Sequence, residues 1–327
     1  MHMKFGAIVA LLAGLALAVF VFLHIGIAPV LSAIARVGWG GFVLIVLGGL
    51  GVIAFLSAAW YTLLSDRAHW PIFFAARQLR DSASELLPFT QLGGMVIGVR
   101  AIILGGLAAP RAFASAMVDV TMEFTAEIAF VLLGLMLGIA QLRASPALAP
   151  YANGLIVGTA LLVPGVIGFV VLQRRGSFLA EKLASRFLPA AVSHTEAFSQ
   201  ALNGFYSNRW RLLLSATLHL TAWIASGVWL WGVMRLCGAH VSVFSAITIE
   251  SLLGALRGVT FFIPSSVGVQ EAGYAALASV FGAGPEVGLA VSLLKRARDI
   301  VVGVPVLLAW QIIEGKRAFA LRNGDPS

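Results

Sequence analysis

Cysteine is almost absent from this chain, and charge is scarce. One cysteine, Cys237, stands among 327 residues, so no intrachain disulfide forms and no cysteine-based zinc site can be built. Only 11% of residues are charged, less than half of the roughly 25% usual in a soluble globular domain. Acids are the rarer sign, with 14 Asp and Glu against 22 Lys and Arg. No GxSxG, HExxH or nucleotide-binding motif occurs, and the longest polar segment, 174–208, is too short to hold separate catalytic machinery. These absences exclude a soluble enzyme, a secreted disulfide scaffold and a disordered linker.

What fills the sequence is apolar. Sixty per cent of residues are hydrophobic, and the mean hydropathy is +0.95. The apolar residues fall in runs of about twenty, long enough to cross a hydrocarbon core of about 30 Å at 1.5 Å per residue. The expected fold is an all-α, multi-pass membrane protein in a single membrane domain. Six spans are expected at 5–23, 39–64, 112–138, 152–173, 210–235 and 286–313. The first has about nineteen apolar residues, more than a signal-peptide core, and is read as an uncleaved helix. Two further stretches, 70–108 and 242–282, each contain a central proline, Pro88 and Pro264. Proline removes a donor and clashes with the preceding turn. Each stretch is therefore a broken hairpin, either re-entrant or fully spanning.

The net charge of +8 is read as loop asymmetry, not as nucleic-acid binding. With the N-terminus in the cytoplasm, fourteen basic residues fall on that side, among them Arg77, Arg80 and Arg111. Three fall opposite: Arg36, Arg143 and Arg235. That bias orients both termini to the cytoplasm. The segment 174–208 reads as an amphipathic surface helix or a solvated loop.

The two proline stretches share a pattern. Asp119 and Glu123 lie 31 and 35 residues after Pro88; Lys295 and Asp299 lie 31 and 35 after Pro264. Units 39–138 and 210–313 are separated by one span, 152–173, so the second enters from the opposite side. This is the arrangement of an inverted repeat, common in transporters whose site lies near the midplane. Charges at membrane depth are costly and mark function or structural pairing. The candidate headgroup path is Arg257, Lys295 and Arg298 with Pro88, Gly93, Gly94, Pro264, Gly268 and Glu271. The proton or ion-pair candidates are Asp119, Glu123, Glu127 and Asp299. If the units pack symmetrically, the acidic face of 119–127 would meet the basic face of 295–298. Arg100 and Glu127 taken singly, and His24 and His219, read as structural or hydrogen-bonded side chains. A competing reading takes Asp119, Glu123 and Glu127, one helical turn apart, as a carboxylate row for Mg²⁺ in a lipid-modifying enzyme. No cofactor is otherwise expected.

The run Arg80–Gly94, the segment Val118–Glu123 and the segment Ile263–Glu271 together resemble the flippase-like membrane domain of lysylphosphatidylglycerol synthases. Within that group the chain is similar to the hopanoid-biosynthesis-associated integral membrane protein. The resemblance covers nearly the whole chain. Where that family commonly has Pro-Gly-Gly before its Gly and Glu, this chain has Pro264-Ser265-Ser266. The resemblance implies translocation of a lipid, such as a hopanoid or its precursor, in the bacterial inner membrane. It implies no lysyl transfer, because the aminoacyl-transferase domain needs several hundred more residues. The remaining alternative is an accessory or scaffold subunit of a lipid-biosynthesis complex.

Overall fold

The computed structural model describes residues 2–64, 69–87, 91–144, 192–260 and 263–322. Among these the chain is wholly helical, with ten α-helices and one 3-10 turn. They are α1 (His2–Ile25), α2 (Ile27–Thr62), α3 (Trp70–Leu86), α4 (Gln91–Leu104), α5 (Ala109–Arg143), α6 (Val192–Ser207), α7 (Arg209–Leu236), α8 (Val243–Val259), α9 (Val269–Val280) and α10 (Pro285–Arg322), with the turn at Pro264–Ser266. Three of the described helices are long and apolar enough to cross a membrane: α2, α5 and α7. They contain nearly all of the expected spans 39–64, 112–138 and 210–235. The expected spans 5–23 and 286–313 lie within α1 and α10. The expected span 152–173 lies outside the described residues.

Local chemistry sets the breaks. Leu87 is extended (φ −95, ψ 147), as a residue before proline must be, and α3 ends there. Pro88 itself is outside the described residues. The sequence reading placed no helix between 23 and 39. The structure has one from Ile27, joined to the rest of α2 across a kink at Gly38 (φ 60, ψ 178).

The helices pack across the two halves of the chain. α2 and α7 pack on each other. α5 packs on α7 and α8, and α10 packs on α2 and α3. One apolar cluster joins Leu230, Met234, Ile249, Leu253, Tyr274 and Leu289. A second joins Trp60, Phe73, Val99, Ile102 and Val118 with α6. The apolar stripe of α6 (Phe198, Leu202, Phe205) faces this second cluster, and α6 packs on α5. The described part of segment 174–208 thus spends its apolar face on protein, not on lipid.

Lipid tails are as apolar as leucine, so helices in a membrane associate through close packing of small residues. Gly94 and Gly98 of α4 are such residues: a Cβ at either would overlap the backbone of α3 at Arg80 or Ala76. Gly48 and Gly49 of α2 likewise leave room for Trp229 and Arg298.

The turn at 264–268 is held in unusual backbone. Ser265 and Ser266 have φ +51 and +46, and Gly268 has φ +79. The Gly268 N–H donates to the Glu271 carboxylate at 2.7 Å, closing the first turn of α9. A Cβ on Gly268 would overlap the Gly14 carbonyl of α1. Gly268→Ala therefore meets both a left-handed penalty of about 1–2 kcal/mol and a backbone clash, and should lower the melting temperature in detergent. Ser266→Gly relieves the same penalty, so it should leave the melting temperature unchanged or raise it by the equivalent of up to about 1 kcal/mol.

Candidate functional site

Asp119, His219 and Lys295 are each ten residues into their helices, α5, α7 and α10. Asp119 meets His219, whereas Lys295 lies against Trp229, ten residues farther along α7, about 15 Å at 1.5 Å per residue.

The first cluster gathers around α5. Arg77 of α3 holds Glu123 with two hydrogen bonds, at 2.5 and 3.1 Å, and reaches Asp81 at 3.2 Å. Arg80 bridges Asp119 at 3.1 Å and Glu123 at 2.8 Å. His219 Nε2 lies 3.0 Å from Asp119 Oδ1. Asp119 and His219 are both fully buried. The planar guanidinium forks suit these carboxylates, and desolvation makes the pairing obligatory.

The second cluster gathers α8, α9 and α10 against Trp229 of α7. Lys295 Nζ donates to Glu250 Oε1 at 2.8 Å and to Tyr274 Oη at 2.5 Å, while Tyr274 Oη donates to Glu250 Oε2 at 2.7 Å. The Trp229 ring faces Lys295 Nζ at 5.0 Å and Arg298 at 5.8 Å, within cation–π range. Arg298 Nη1 donates to Asp299 Oδ1 at 2.7 Å. Beside these, Arg296 Nε donates to Glu271 Oε1 at 2.5 Å, and Ser292 Oγ donates to the same oxygen at 3.1 Å. Arg296 also binds the Ser265 carbonyl at 3.2 Å.

A third feature joins the two hairpins. Arg257 Nη2 donates to Glu85 Oε1 at 2.5 Å. Ser265 Oγ donates to the Glu85 carbonyl at 2.6 Å. Their side chains remain 33% and 27% exposed for Arg257 and Glu85, unlike the closed clusters on either side.

The expected residues divide accordingly. Asp119 and Glu123 come together, but with Arg77, Arg80 and His219. The expected meeting of the 119–127 face with Lys295 and Arg298 does not occur. Arg77 and Arg80, assigned by the sequence to cytoplasmic loop charge, are buried or nearly so within the first cluster, because α3 turns them toward α5. The three carboxylates of the suggested Mg²⁺ row do not converge. Guanidinium and imidazole groups occupy Asp119 and Glu123, and Glu127 points toward Gly254 of α8. Among the described residues no group of three acids, histidines or cysteines is placed to hold a metal. Lys295 and Arg298 are ion-paired and largely buried, with Arg298 Nε and Nη2 lacking a partner, which leaves Arg257 the most exposed cation of the expected three. Gly94 serves helix packing, and Gly93 stands beside it in the first turn of α4. Gly268 and Glu271 shape the hairpin turn that Pro264 begins, and Asp299 pairs with Arg298. Arg100 pairs with Glu314 at 3.1 Å on the exposed surface.

Sequence reasoning missed Arg77, Arg80, Glu85 and Tyr274 as site residues, and placed Glu250 at membrane depth without a partner. A signal existed for some of them: Arg77, Asp81 and Glu85 stand four residues apart on one helical face.

The family described as the lysylphosphatidylglycerol synthase TM region matches residues 7–306. No curated protein and no solved structure matches the chain.

Removing one partner of a buried pair strands the other charge, at a cost of about 3–5 kcal/mol. Arg77→Ala should therefore lower the detergent melting temperature sharply or abolish folding. Arg100→Ala, on an exposed pair, should leave the melting temperature unchanged.

Proposed function

The chain belongs to the lysylphosphatidylglycerol synthase transmembrane-region family, and we propose that it carries the polar headgroup of an amphiphilic lipid across the bacterial inner membrane, as a flippase- or scramblase-like transporter. The observation that carries this reading is the Arg257–Glu85 pair at the junction of the two hairpins. A cation at membrane depth that is partly open, and whose partner is a carboxylate, can exchange that partner for the phosphate or other anionic group of a lipid. The tail stays in the surrounding lipid. The closed clusters around Asp119 and Lys295 fix the helices on either side.

In this reading the two sets of helices, α2–α5 and α7–α10, are inverted repeats. Their reciprocal packing supports it, since α5 meets the hairpin helix α8 as α10 meets the hairpin helix α3. So does the common proline offset of Asp119 and Lys295. Both termini face the cytoplasm, because the excess of basic residues on that side persists when Arg77 and Arg80 are set aside. A hopanoid or its precursor is the lipid suggested by the sequence resemblance, with lipid-biosynthesis proteins as neighbours.

Reconstitution in vesicles tests the reading. The native chain should exchange a fluorescent anionic phospholipid, or a hopanoid-like lipid, between leaflets faster than empty vesicles do. Arg257→Ala should slow that exchange about tenfold, the loss of one charge-assisted hydrogen bond. Exchange at the empty-vesicle rate by the native protein would sink the proposal.

A further inference from the structure

Three polar atoms on one stripe of α7 have no hydrogen-bond partner in the protein: Ser215 Oγ, His219 Nδ1 and Trp223 Nε1, each buried. They stand at i, i+4 and i+8, on one face of the helix. Ser215 and His219 are fully buried as whole residues. An unpaired buried polar atom costs about 1–3 kcal/mol, and native structures satisfy such atoms with protein or with ordered water. Three in a row call for one shared solution.

The spacing fits water. The Cβ atoms of residues four apart on a helix are about 5–6 Å from each other, and two hydrogen bonds through one oxygen span a comparable distance of about 5.6 Å. The chemistry fits as well. Asp119 Oδ1 accepts from His219 Nε2, since a carboxylate has no proton to give, so Nδ1 of a neutral ring is an acceptor. A water that accepts from the Trp223 N–H has its own hydrogens to donate to Nδ1. A second links the file to the Ser215 hydroxyl, four residues nearer the Arg209 end of α7.

We infer that α7 carries a water file that makes the His219–Asp119 pair a proton-binding site open to the aqueous phase. The charge of its surroundings agrees. The groups facing His219 are Asp119 and Glu123 of α5 and Arg77 and Arg80 of α3, with Asp81 bound to Arg77. α2, also packed on α7, has Arg36 as its one charged residue, far along the helix. The charges that α8 and α10 bring toward α7, Glu250, Lys295 and Arg298, gather at Trp229, ten residues beyond His219. The cluster thus holds two guanidinium groups against three carboxylates, one positive charge short. A proton delivered by the file to Nδ1 supplies that charge and leaves by the same route. Passed from Nε2 to Asp119, it would neutralise the carboxylate that Arg80 binds and loosen α3 from α5. The inference does not depend on what the protein transports.

Radiolytic hydroxyl-radical footprinting of the native chain in lipid nanodiscs tests the file. After correction for intrinsic reactivity, His219 should be modified well above Trp60, which is equally buried but whose N–H is satisfied by Ser115. Nitrogen-15 NMR of labelled histidine tests the proton, with the His219 signal assigned by its loss in His219→Gln. It should change reversibly between neutral and protonated shifts when the aqueous pH is changed at fixed fold. Modification of His219 no faster than Trp60, or a His219 ring that does not respond to the aqueous pH, would overturn the inference.

Discussion

Everything in this fold rests on the pairing of charges that have left water. An ion at the centre of an apolar helix costs on the order of 2.5–3.5 kcal/mol by insertion scales, and apolar contact between helices in lipid offers little driving force to offset it. The described helices meet that constraint with a few dense clusters. Arg77 and Arg80 tie α3 to α5, Lys295 ties α10 to α8 and α9, and Arg296 ties α10 to α9. Glycines such as Gly94 and Gly98 then bring α3 and α4 close enough for short side chains to matter.

The two halves use opposite signs. In the first, the hairpin supplies the cations and the long helix α5 the anions. In the second, the hairpin supplies the anions Glu250 and Glu271, and the long helix α10 the cations Lys295 and Arg296. α3 packs on α10, and α8 packs on α5, so each hairpin also lies against the long helix of the other half. The two hairpins are joined by Arg257 of the second and Glu85 of the first.

The positions of the charges were legible in the sequence; their partners were not. The offsets of 31 and 35 residues from each proline placed Asp119, Glu123, Lys295 and Asp299 on the helices after the hairpins, because proline position and helical rise are local properties. Pairing is decided by which helices pack together, across separations such as the 172 residues between Arg257 and Glu85. So Arg77 and Arg80 read as loop charge, since nothing local marks a guanidinium as buried. Gly94 read as a ligand-approach glycine, although Gly94-x-x-x-Gly98 carries the small-residue spacing of helix packing. The departure at Ser265-Ser266 was visible as a substitution. Its meaning appears only in the backbone, where both serines stand at the left-handed φ that glycine adopts freely.

The second hairpin turn is more heavily tethered than that departure would suggest. Glu271 holds the Gly268 N–H, Arg296 holds the Ser265 carbonyl, Ser265 Oγ holds the Glu85 carbonyl, and Gly14 of α1 closes over Gly268. α1 stands outside both halves, yet it packs on α9 and on this turn. Left-handed serines cost energy that only such surroundings can sustain. By contrast α3, packed on α4 through Gly94 and Gly98, is joined to α5 chiefly by the guanidinium groups of Arg77 and Arg80. Its hold on α5 depends on the charge of Asp119 and Glu123. Both hairpins depend on ion pairs: Glu250–Lys295 and Glu271–Arg296 in the second, and Arg77 and Arg80 with Glu123 and Asp119 on α3. Glu85, which meets Arg257, lies on that same helix.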